Sequence, residues 1–407
     1  MRKVVLVSLD ALFIRDMEMI PPEGFLARMM REGTFCRRVE TVFPALTYPI
    51  HVTMVTGCEP DRTGVGQNQP LQSGVAKNER VWYWERKYIQ VPTLFDAVKA
   101  AGGRNCSILW PVGCKNPAVK WLFPEVHPLK GENPALKALR YGSPGYILRG
   151  EKRFGHLRKG IAEPWLSDYA TALGMDTIRR RRPDFTALHL IDLDGARHQH
   201  GTFSPEAREA LNRDDRRLAE IRKTMDATPG MEDALLIAVS DHGQEDIRET
   251  VNLTKKIREM RLEKEILVQS NGMSACFFPG PAGCPDPENI RRLVDERKDE
   301  MGIAKTYSRE EMDRMHAVKG PVFAAEAAEG VVFSDGLDEE KREAATHGFG
   351  PGREADLCLF AVIGNGIRKG CEIPEMKMRD VGPTIAGLMG LRLEGADGRD
   401  LSGAFLL

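Results

Sequence analysis

Apolar segments without polar alternation constrain the fold of this chain more than any other feature. They are rich in aliphatic and β-branched residues and occupy positions 3–9, 106–110, 185–191, 234–240 and 357–363. Strands that are apolar at successive positions are typical of a parallel sheet that helices cover on both faces. Helical patterns separate the segments, for example at Thr93–Ala101 and Tyr169–Arg181. The alternation predicts an α/β fold with a doubly wound, mostly parallel sheet and helices on both faces.

The segment 252–335 has a different pattern. A short apolar run at Ser274–Phe278 is followed by a turn rich in proline and glycine, a charged helical pattern at Glu288–Met301 and a strand-like run at Gly330–Phe333. This mixture predicts a small α+β subdomain inserted into the sheet domain. A chain of 407 residues is long enough for one large domain that carries a smaller one. The predicted catalytic core is then formed by residues 1–251 and 336–407.

The charges of the chain are nearly balanced, with 58 Lys and Arg against 59 Asp and Glu. Because no global basic field results, we expect neither a nucleic acid polymer nor an anionic membrane as a partner. The N-terminal apolar run stops at Asp10 and is too short for a signal peptide, and no run is long enough to cross a bilayer. Eight scattered cysteines without a CxxC pair are typical of free thiols in a reducing compartment. These features predict a cytoplasmic protein.

Acidic side chains stand where three of the predicted strands end. Asp10 follows the first strand, Asp192 and Asp194 follow the 185–191 strand, and Asp241 and His242 follow the 234–240 strand. In doubly wound sheets the carboxyl ends of the strands meet at one edge, and ligands bind there. We therefore expect these carboxylates and the nearby imidazoles to share one site.

Three of the motifs suit a metal ion. Asp194 and His198 are four residues apart, so one turn of helix or a tight loop can bring both to one ion, and zinc accepts this mixture of oxygen and nitrogen. Asp241 and His242 stand at a strand end, where a loop can turn both side chains to one side. His347 lies next to a glycine, in a loop whose backbone can approach a ligand closely. Each motif taken alone also fits a solvated loop, and Asp241 also fits a helix N-cap.

The segment FPALTYPIHVTMVTG supplies a candidate nucleophile. Pro49 suits the first turn of a helix, which places the helix start near Thr47. A helix N-terminus presents N–H groups and a positive dipole end to an anion. A threonine hydroxyl bound to zinc there would lose its proton near neutral pH and become a nucleophile. The alternative is a capping threonine without a catalytic role.

In combination these motifs resemble the alkaline phosphatase superfamily, and within it the type I phosphodiesterase / nucleotide pyrophosphatase family. The resemblance rests on VSLDAL, FPALTYPIH followed by VTG, DLDGARHQHG, VSDHG and THGFG. It covers nearly the whole chain and is weakest at 115–165 and 252–335. It implies an alkaline phosphatase-like fold and two zinc ions. One zinc ion would be held by Asp194, His198 and His347. The other would be held by Asp10, Asp241, His242 and the Thr47 oxygen.

The same resemblance implies roles at the substrate. Thr47 would attack phosphorus and form a covalent phospho-threonine. Asn68 would donate a hydrogen bond to a phosphoryl oxygen, and Tyr48 would pack against a substrate group. Trp110 fits either the pocket wall or the core. The implied function is that of a zinc-dependent phosphodiesterase of the nucleotide pyrophosphatase type, acting on a small-molecule phosphoester.

The chain departs from the family pattern at two positions beside the nucleophile. Leu46 stands where the family often has lysine, and Ile50 where it usually has asparagine. The loss of a positive charge beside the phosphate disfavours polyanionic nucleotides. A phosphonate hydrolase or a phosphomonoesterase of the same superfamily is the alternative, although a monoesterase would need a guanidinium or a third metal near the phosphate, and the sequence places neither. A non-catalytic binding protein on this scaffold is less favoured, because every expected ligand is present.

Overall fold

The structure is a computed structural model that describes residues 1–76, 79–336 and 343–407. The strands are β1 (Val4–Leu9), β2 (Thr34–Glu40), β3 (Asn105–Ile108), β4 (Val119–Phe123), β5 (Phe185–Leu190), β6 (Leu235–Ser240), β7 (Glu245–Asp246), β8 (Glu249–Asn252), β9 (Ile266–Ser270), β10 (Ser274–Pro279), β11 (Ile303–Ser308), β12 (Phe323–Ala327), β13 (Val331–Ser334), β14 (Ala345–Thr346), β15 (Leu357–Ile363), β16 (Cys371–Glu372) and β17 (Met376–Lys377). The helices are α1 (Phe25–Glu32), α2 (Thr47–Thr56), α3 (Pro60–Thr63), α4 (Leu94–Ala100), α5 (Pro134–Tyr141), α6 (Pro144–Phe154), α7 (Trp165–Arg181), α8 (Asp192–His200), α9 (Pro205–Asp226), α10 (Leu253–Glu259), α11 (Pro287–Glu296), α12 (Arg309–Arg314), α13 (Met378–Met389) and α14 (Ser402–Phe405).

The central sheet has the strand order β16-β2-β15-β6-β1-β5-β3-β4, and β17 also pairs with β2. The strands β6, β1, β5, β3 and β4 are parallel, as predicted. The predicted strand at 357–363 is β15, which runs antiparallel to both of its neighbours. An apolar run shows that a strand is buried on both faces but carries no information about its direction. The sheet is therefore mixed, with β15 alone reversed.

Both faces of the sheet are covered by helices, which confirms the predicted layers. Along β1, Val5 and Val7 belong to the core beneath α1, α7 and α9. Val4 and Leu6 belong to the opposite core beneath α2, α4 and α13. Successive side chains of a strand point to opposite faces, so a strand between two cores must be apolar throughout. Each such side chain contributes roughly 1.5–3 kcal/mol on burial.

A second, antiparallel sheet lies within the predicted insertion, in the order β11-β12-β10-β9. Helix α11 ends at Glu296 and not at Met301, because the chain turns back into β11 through Gly302, whose φ is 63°. The predicted strand at 330–333 is β13, which pairs in parallel with β8 and not with the second sheet. The division into 1–251 with 336–407 and 252–335 stays a prediction.

Two findings concern the cysteines and the length of the helices. All eight cysteines are free, and six of them are buried. Within the three described ranges, none of the helices is both long and apolar enough to cross a bilayer.

Glu163, just before α7, is a largely buried carboxyl group. Its Oε2 accepts a hydrogen bond of 3.2 Å from the Ser167 backbone N–H, while Oε1 is buried without a partner among the described residues. Burial raises the pKa of Glu163 to about 7, and the nearby charge of Asp192 adds to the effect. The folded protein therefore holds a proton that the unfolded chain releases at a lower pH.

This proton predicts a pH-dependent stability. Between pH 5.5 and pH 8 the folded state must lose the proton, so Glu163 lowers the free energy of unfolding by about 2 kcal/mol over that interval. Glu163→Gln stays neutral, so the variant should gain about 2 kcal/mol relative to the wild type as the pH rises. Urea unfolding of both proteins at the two pH values measures the difference, with Glu220→Gln on the exposed face of α9 as the control. A constant difference across pH would contradict the assignment.

Candidate active site

Thr47 is the first residue of α2, where the sequence predicts a helix start. His51, one turn further on, fixes this helix end to the sheet. Its Nδ1 donates to the Thr47 carbonyl at 2.8 Å, and its Nε2 accepts from the Ser8 hydroxyl of β1 at 2.9 Å. Burial and the neighbouring His189 hold the pKa of His51 well below its ordinary value, so the ring is neutral. The Thr47 hydroxyl is thereby held at the carboxyl edge of the sheet.

The N–H groups of this helix end are fewer than the sequence suggests. Pro49 has no N–H, and the Tyr48 N–H donates to the Asn68 side chain at 3.0 Å. An anion at this helix end would therefore meet the Thr47 N–H, the dipole and the Asn68 amide group, and not a row of free backbone donors.

Asp10 and Asp241 become neighbours through strand register. Leu9 of β1 is paired with Ser240 of β6, so the next residue of each strand emerges at the same edge. The Nε2 atom of His242 lies 3.5 Å from Asp10 Oδ1 and 3.3 Å from Asp241 Oδ2. The Thr47 hydroxyl oxygen lies 3.2 Å from the same nitrogen.

The other predicted ligands join this group from α8 and from the loop after β14. Asp194 and His198 stand one turn apart on α8, with 3.3 Å between Asp194 Oδ1 and His198 Nε2. The His347 ring stacks on His242 at a centroid distance of 3.8 Å and lies 5.4 Å from His198. The structure thus brings all six predicted metal ligands and Thr47 into one cluster.

The grouping differs in one detail from the division that the resemblance implies. Ligand atoms of the described residues lie within 4.8 Å of one another in three triads, of which two share His242 and the remaining one is His51, His189 and Asp241. The first triad is Asp10, Asp241 and His242, and the second is Asp194, His242 and His347. His198 contacts Asp194 but lies outside the second triad.

Backbone carbonyls set the tautomer of the three histidines. The Nδ1 atoms of His198, His242 and His347 lie 2.9, 3.2 and 3.0 Å from the carbonyl oxygens of Ala345, Gly243 and Ala45. A carbonyl only accepts, so each Nδ1 carries a hydrogen, and the neutral rings of His242 and His347 present a lone pair at Nε2. Burial lowers the pKa of His198, but Asp194 and Glu343 outweigh burial and raise this pKa well above its ordinary value. Burial lowers the pKa of His242 to about 4 and that of His347 to about 3. Both rings are therefore neutral, in the form that binds a metal.

Asp10 and Asp241 each have one carboxylate oxygen in a hydrogen bond and one without a partner among the described residues. Asp241 Oδ1 accepts from the backbone N–H groups of Ala11 and His242 at 3.1 and 2.9 Å, while Asp10 Oδ2 lies 2.9 Å from His189 Nε2. Asp241 Oδ2 and Asp10 Oδ1, which lie 3.3 and 3.5 Å from His242 Nε2, are buried without a hydrogen-bond partner among the described residues. A buried unpaired oxygen is costly unless a cation satisfies it.

The electrostatics point to the same conclusion. Burial raises the pKa of Asp10 well above its ordinary value and that of Asp241 to about 6, and for Asp10 the neighbouring Asp241 and Asp194 add to this. For Asp194 burial acts in the same direction, but His198, His347 and His242 together outweigh it and hold the pKa below its ordinary value. Two buried carboxylates and a partly buried one, beside imidazole nitrogens, are the donor set that divalent zinc prefers. The residues present therefore fit bound metal.

Some residues of the site escaped sequence reasoning. His189 of β5 supports Asp10, Gln244 Nε2 donates to the Asp194 carboxylate and carbonyl, and Glu343 Oε2 lies 3.1 Å from His198 Nδ1. His189 was visible as an imidazole inside an otherwise apolar run. Gln244 and Glu343 stand next to known motifs but carry no spacing signal of their own.

Tyr48 is not placed against a substrate, contrary to expectation. Its side chain is 1% exposed, its hydroxyl donates to Glu125, and its ring packs against Trp82 at 5.2 Å. A buried tyrosine hydroxyl requires such a partner, which draws the ring into the interior. Trp110 is also buried and packs on His51 at 4.8 Å, so the core interpretation applies to it.

A cleft of about 300 Å³ opens beside the cluster. Its walls include His198, His347, Asn68, Trp82 and, from the second sheet, Gln269. The cleft therefore lies between the central sheet and the predicted insertion, with the Asn68 amide on one side and the metal-ligand histidines on another.

The fold and this site define a metal-binding hydrolase scaffold of the alkaline phosphatase type. Residues 4–350 match the family described as type I phosphodiesterase / nucleotide pyrophosphatase, and the chain belongs to that family. The resemblance read from the motifs is thereby confirmed.

Curated relatives are distant. The chain is 23% identical over 258 residues to venom phosphodiesterase 2 of Crotalus adamanteus, a match that covers 60% of this chain and 27% of that protein. It is 22% identical to human ectonucleotide pyrophosphatase/phosphodiesterase family member 7, over 97% of this chain and 81% of the relative. The chain thus spans about a quarter of the length of the venom enzyme.

Solved structures share the fold over the full length. Murine ectonucleotide pyrophosphatase / phosphodiesterase 5 has a TM-score of 0.73 at 17% identity and covers 99% of this chain and 100% of its own. An inactive form of the same murine protein in complex with AMP has a TM-score of 0.74 at 17% identity, with full coverage of both chains. At such identity the likeness concerns the fold.

Proposed function

We propose that this chain is a zinc-dependent phosphodiesterase of the nucleotide pyrophosphatase type that works through a covalent phospho-threonine. The observation that carries the proposal is the position of Thr47. Thr47 is the first residue of a helix at the carboxyl edge of the sheet, and its hydroxyl lies 3.2 Å from His242 Nε2. The same nitrogen lies 3.5 Å from Asp10 Oδ1 and 3.3 Å from Asp241 Oδ2. If Thr47 served only to cap the helix, it would not need to lie beside the predicted metal ligands.

Two zinc ions belong to the proposal. Asp194, His198 and His347 would hold one, and Asp10, Asp241, His242 and Thr47 would hold the other. The Nε2 lone pairs of His242 and His347, the 3.3 Å distance from His198 Nε2 to Asp194 and the two unpaired carboxylate oxygens support this assignment. When bound, the zinc ions supply Lewis acidity that lowers the pKa of the Thr47 hydroxyl and stabilises charge on the phosphoryl and leaving oxygens.

The residues of the chain then perform the following steps. Thr47 Oγ1 gives its proton to water and forms a bond to phosphorus, while the bond from phosphorus to the leaving oxygen breaks and that oxygen takes up a proton from water. Asn68 accepts from the Tyr48 N–H with its Oδ1, so its NH2 group is the end that remains for a phosphoryl oxygen. Water later attacks the same phosphorus, and Thr47 leaves with its proton restored.

A small-molecule phosphoester is the proposed substrate, and a nucleotide is one candidate. The structural relative that binds AMP supports a nucleotide, whereas the apolar Leu46 in the cleft wall opposes a highly charged one. The cytoplasmic location inferred from the sequence stays a prediction.

The substrate class leads to a direct prediction. We expect kcat/KM for bis-nitrophenyl phosphate to exceed that for nitrophenyl phosphate at least tenfold, or about 1.4 kcal/mol in transition-state binding. A monoester dianion carries an extra charge that benefits from a cationic partner. Within the described part of the cleft, the one guanidinium, that of Arg80, is already bound to Asp335 at 2.9 Å.

One zinc-loaded preparation serves for the whole substrate panel, and a chelated sample is the control. A tenfold preference for the monoester would replace our proposal with the phosphomonoesterase alternative. Preference for a nitrophenyl phosphonate ester over both phosphates would favour the phosphonate hydrolase alternative.

A further inference from the structure

Two cavities share one wall in the part of the molecule that the structure describes. The cleft of about 300 Å³ beside His347 and a second cavity of about 310 Å³ are both lined by Arg80, Gln269 and Asp335. The second cavity extends away from the metal ligands, past α10. A substrate group that leaves the phosphoryl site along the cleft therefore meets Arg80 and Asp335.

Arg80 and Asp335 form an ion pair at this wall. Arg80 Nη1 lies 2.9 Å from Asp335 Oδ1 and 3.1 Å from Oδ2, and Arg80 Nε donates to the Val75 carbonyl at 2.9 Å. Asp335 Oδ2 also accepts from the Ser270 N–H at 3.1 Å. The two side chains are only 10% and 9% exposed, so water screens the pair weakly. Asp335 thus compensates the charge of Arg80 within the wall.

The side of the cleft next to Arg80 and Asp335 is rich in amides, and Glu343 and His198 line it elsewhere. Gln67, Asn68, Gln69, Gln269 and Asn271 line the cleft. The Gln269 Oε1 and Gln67 Nε2 atoms are buried in this wall without a hydrogen-bond partner among the described residues. Leu46 adds an apolar surface. Within the described residues, Arg80 is the one guanidinium that lines the cleft and Asp335 compensates its charge, while Arg258 lines the second cavity. The cleft wall therefore suits a polar uncharged group better than a polyphosphate.

We propose that the Arg80–Asp335 pair restricts the enzyme to phosphodiesters whose leaving group is an uncharged, hydrogen-bonding alcohol. The inference rests on the proposed function and specifies its substrate class. Thr47 forms the new bond to phosphorus, the bond to the alcohol oxygen breaks, and the alkoxide takes a proton from water. A pyrophosphate leaving group would bring its charge against a guanidinium that Asp335 already occupies.

The test compares ATP with the nitrophenyl ester of AMP. Both substrates would transfer the same AMP group to Thr47, and they differ in the leaving group. The measured quantity is the ratio of kcat/KM for ATP to kcat/KM for the nitrophenyl ester. The intrinsic reactivity of the two leaving groups is the same in every variant, so it cancels when the ratios of two variants are compared. Asp335→Asn keeps an acceptor for Ser270 but frees the Arg80 charge, so the ratio should rise about tenfold.

Two further variants isolate the charge. Arg80→Gln leaves Asp335 negative and should lower the ratio about tenfold, and the double variant should return the ratio to the wild-type value. Thermal melting identifies variants that fold, and Arg80→Gln tests the inference even if Asp335→Asn does not fold. A ratio that stays constant in every folded variant overturns this inference alone. Absence of zinc-dependent turnover of the nitrophenyl ester by the wild type overturns the proposed function instead.

Discussion

Replacing Thr47 with alanine is expected to lower kcat by about 10⁴-fold or more while the fold is retained. The variant loses the attacking oxygen but only one of the proposed ligands of the second ion, so most metal binding should persist. Thr47→Ser retains a primary hydroxyl at the same place and should keep a measurable fraction of turnover. Single-turnover kinetics with a nitrophenyl diester and metal analysis of each variant measure the two effects separately.

Thr56→Ala is the matched control for this experiment. Thr56 lies at the other end of α2, where its hydroxyl donates to the Val52 carbonyl at 2.7 Å, away from the metal-ligand cluster. Its removal tests for a general effect of threonine loss on the helix. Near-normal turnover by Thr47→Ala would mean that another group attacks phosphorus, and the phospho-threonine mechanism would be wrong.

Removal of metal is expected to abolish activity and to destabilise the fold. Purified protein should contain close to two zinc ions per chain. Without them Asp10 and Asp241 would stay buried beside each other with an unpaired oxygen on each. A ligand present at a thousandfold excess over its Kd stabilises a folded protein by about 4 kcal/mol, so stripped protein should melt at a clearly lower temperature. Elemental analysis, turnover and melting temperature before and after chelation, and after addition of zinc, measure this.

Two histidines of one helix supply the control for the metal experiment. His198→Gln should reduce the zinc content and the turnover, because His198 Nε2 lies 3.3 Å from Asp194 in the cluster. His200→Gln, two residues further along α8 and exposed, should leave both unchanged. Full activity after exhaustive chelation would contradict the metal mechanism regardless of the variants.

Much of the architecture could be predicted because its signals are local. Runs apolar on both faces mark strands between two cores, and Pro49 marks the start of α2. The rule that sheet ligands collect at carboxyl ends then placed Asp10 and Asp241 together, and the strand register shows why. These features can be predicted because the sequence immediately around each residue is enough to indicate its structure.

The remaining features depend on contacts between distant segments. Arg80 and Asp335 are separated by 255 positions, and no local pattern of charge indicates that they pair. Tyr48 looked available for a substrate because its hydroxyl partner, Glu125, lies far along the chain. The reversed direction of β15 likewise follows from packing and not from its composition. Sequence patterns identify which residues are chemically able to act, whereas packing decides which of them face the cleft.

The hydrogen bond from the Tyr48 N–H to Asn68 fixes the orientation of the Asn68 side chain before any substrate binds. Because the Asn68 amide oxygen accepts this bond, the amide cannot flip by half a turn without breaking it, so the NH2 group keeps one orientation. The loss of rotamer freedom therefore occurs when the protein folds and not when a substrate arrives. Thr47, the proposed nucleophile, and the Asn68 amide are therefore already ordered before a phosphate binds, so most of the entropy cost of binding comes from the substrate.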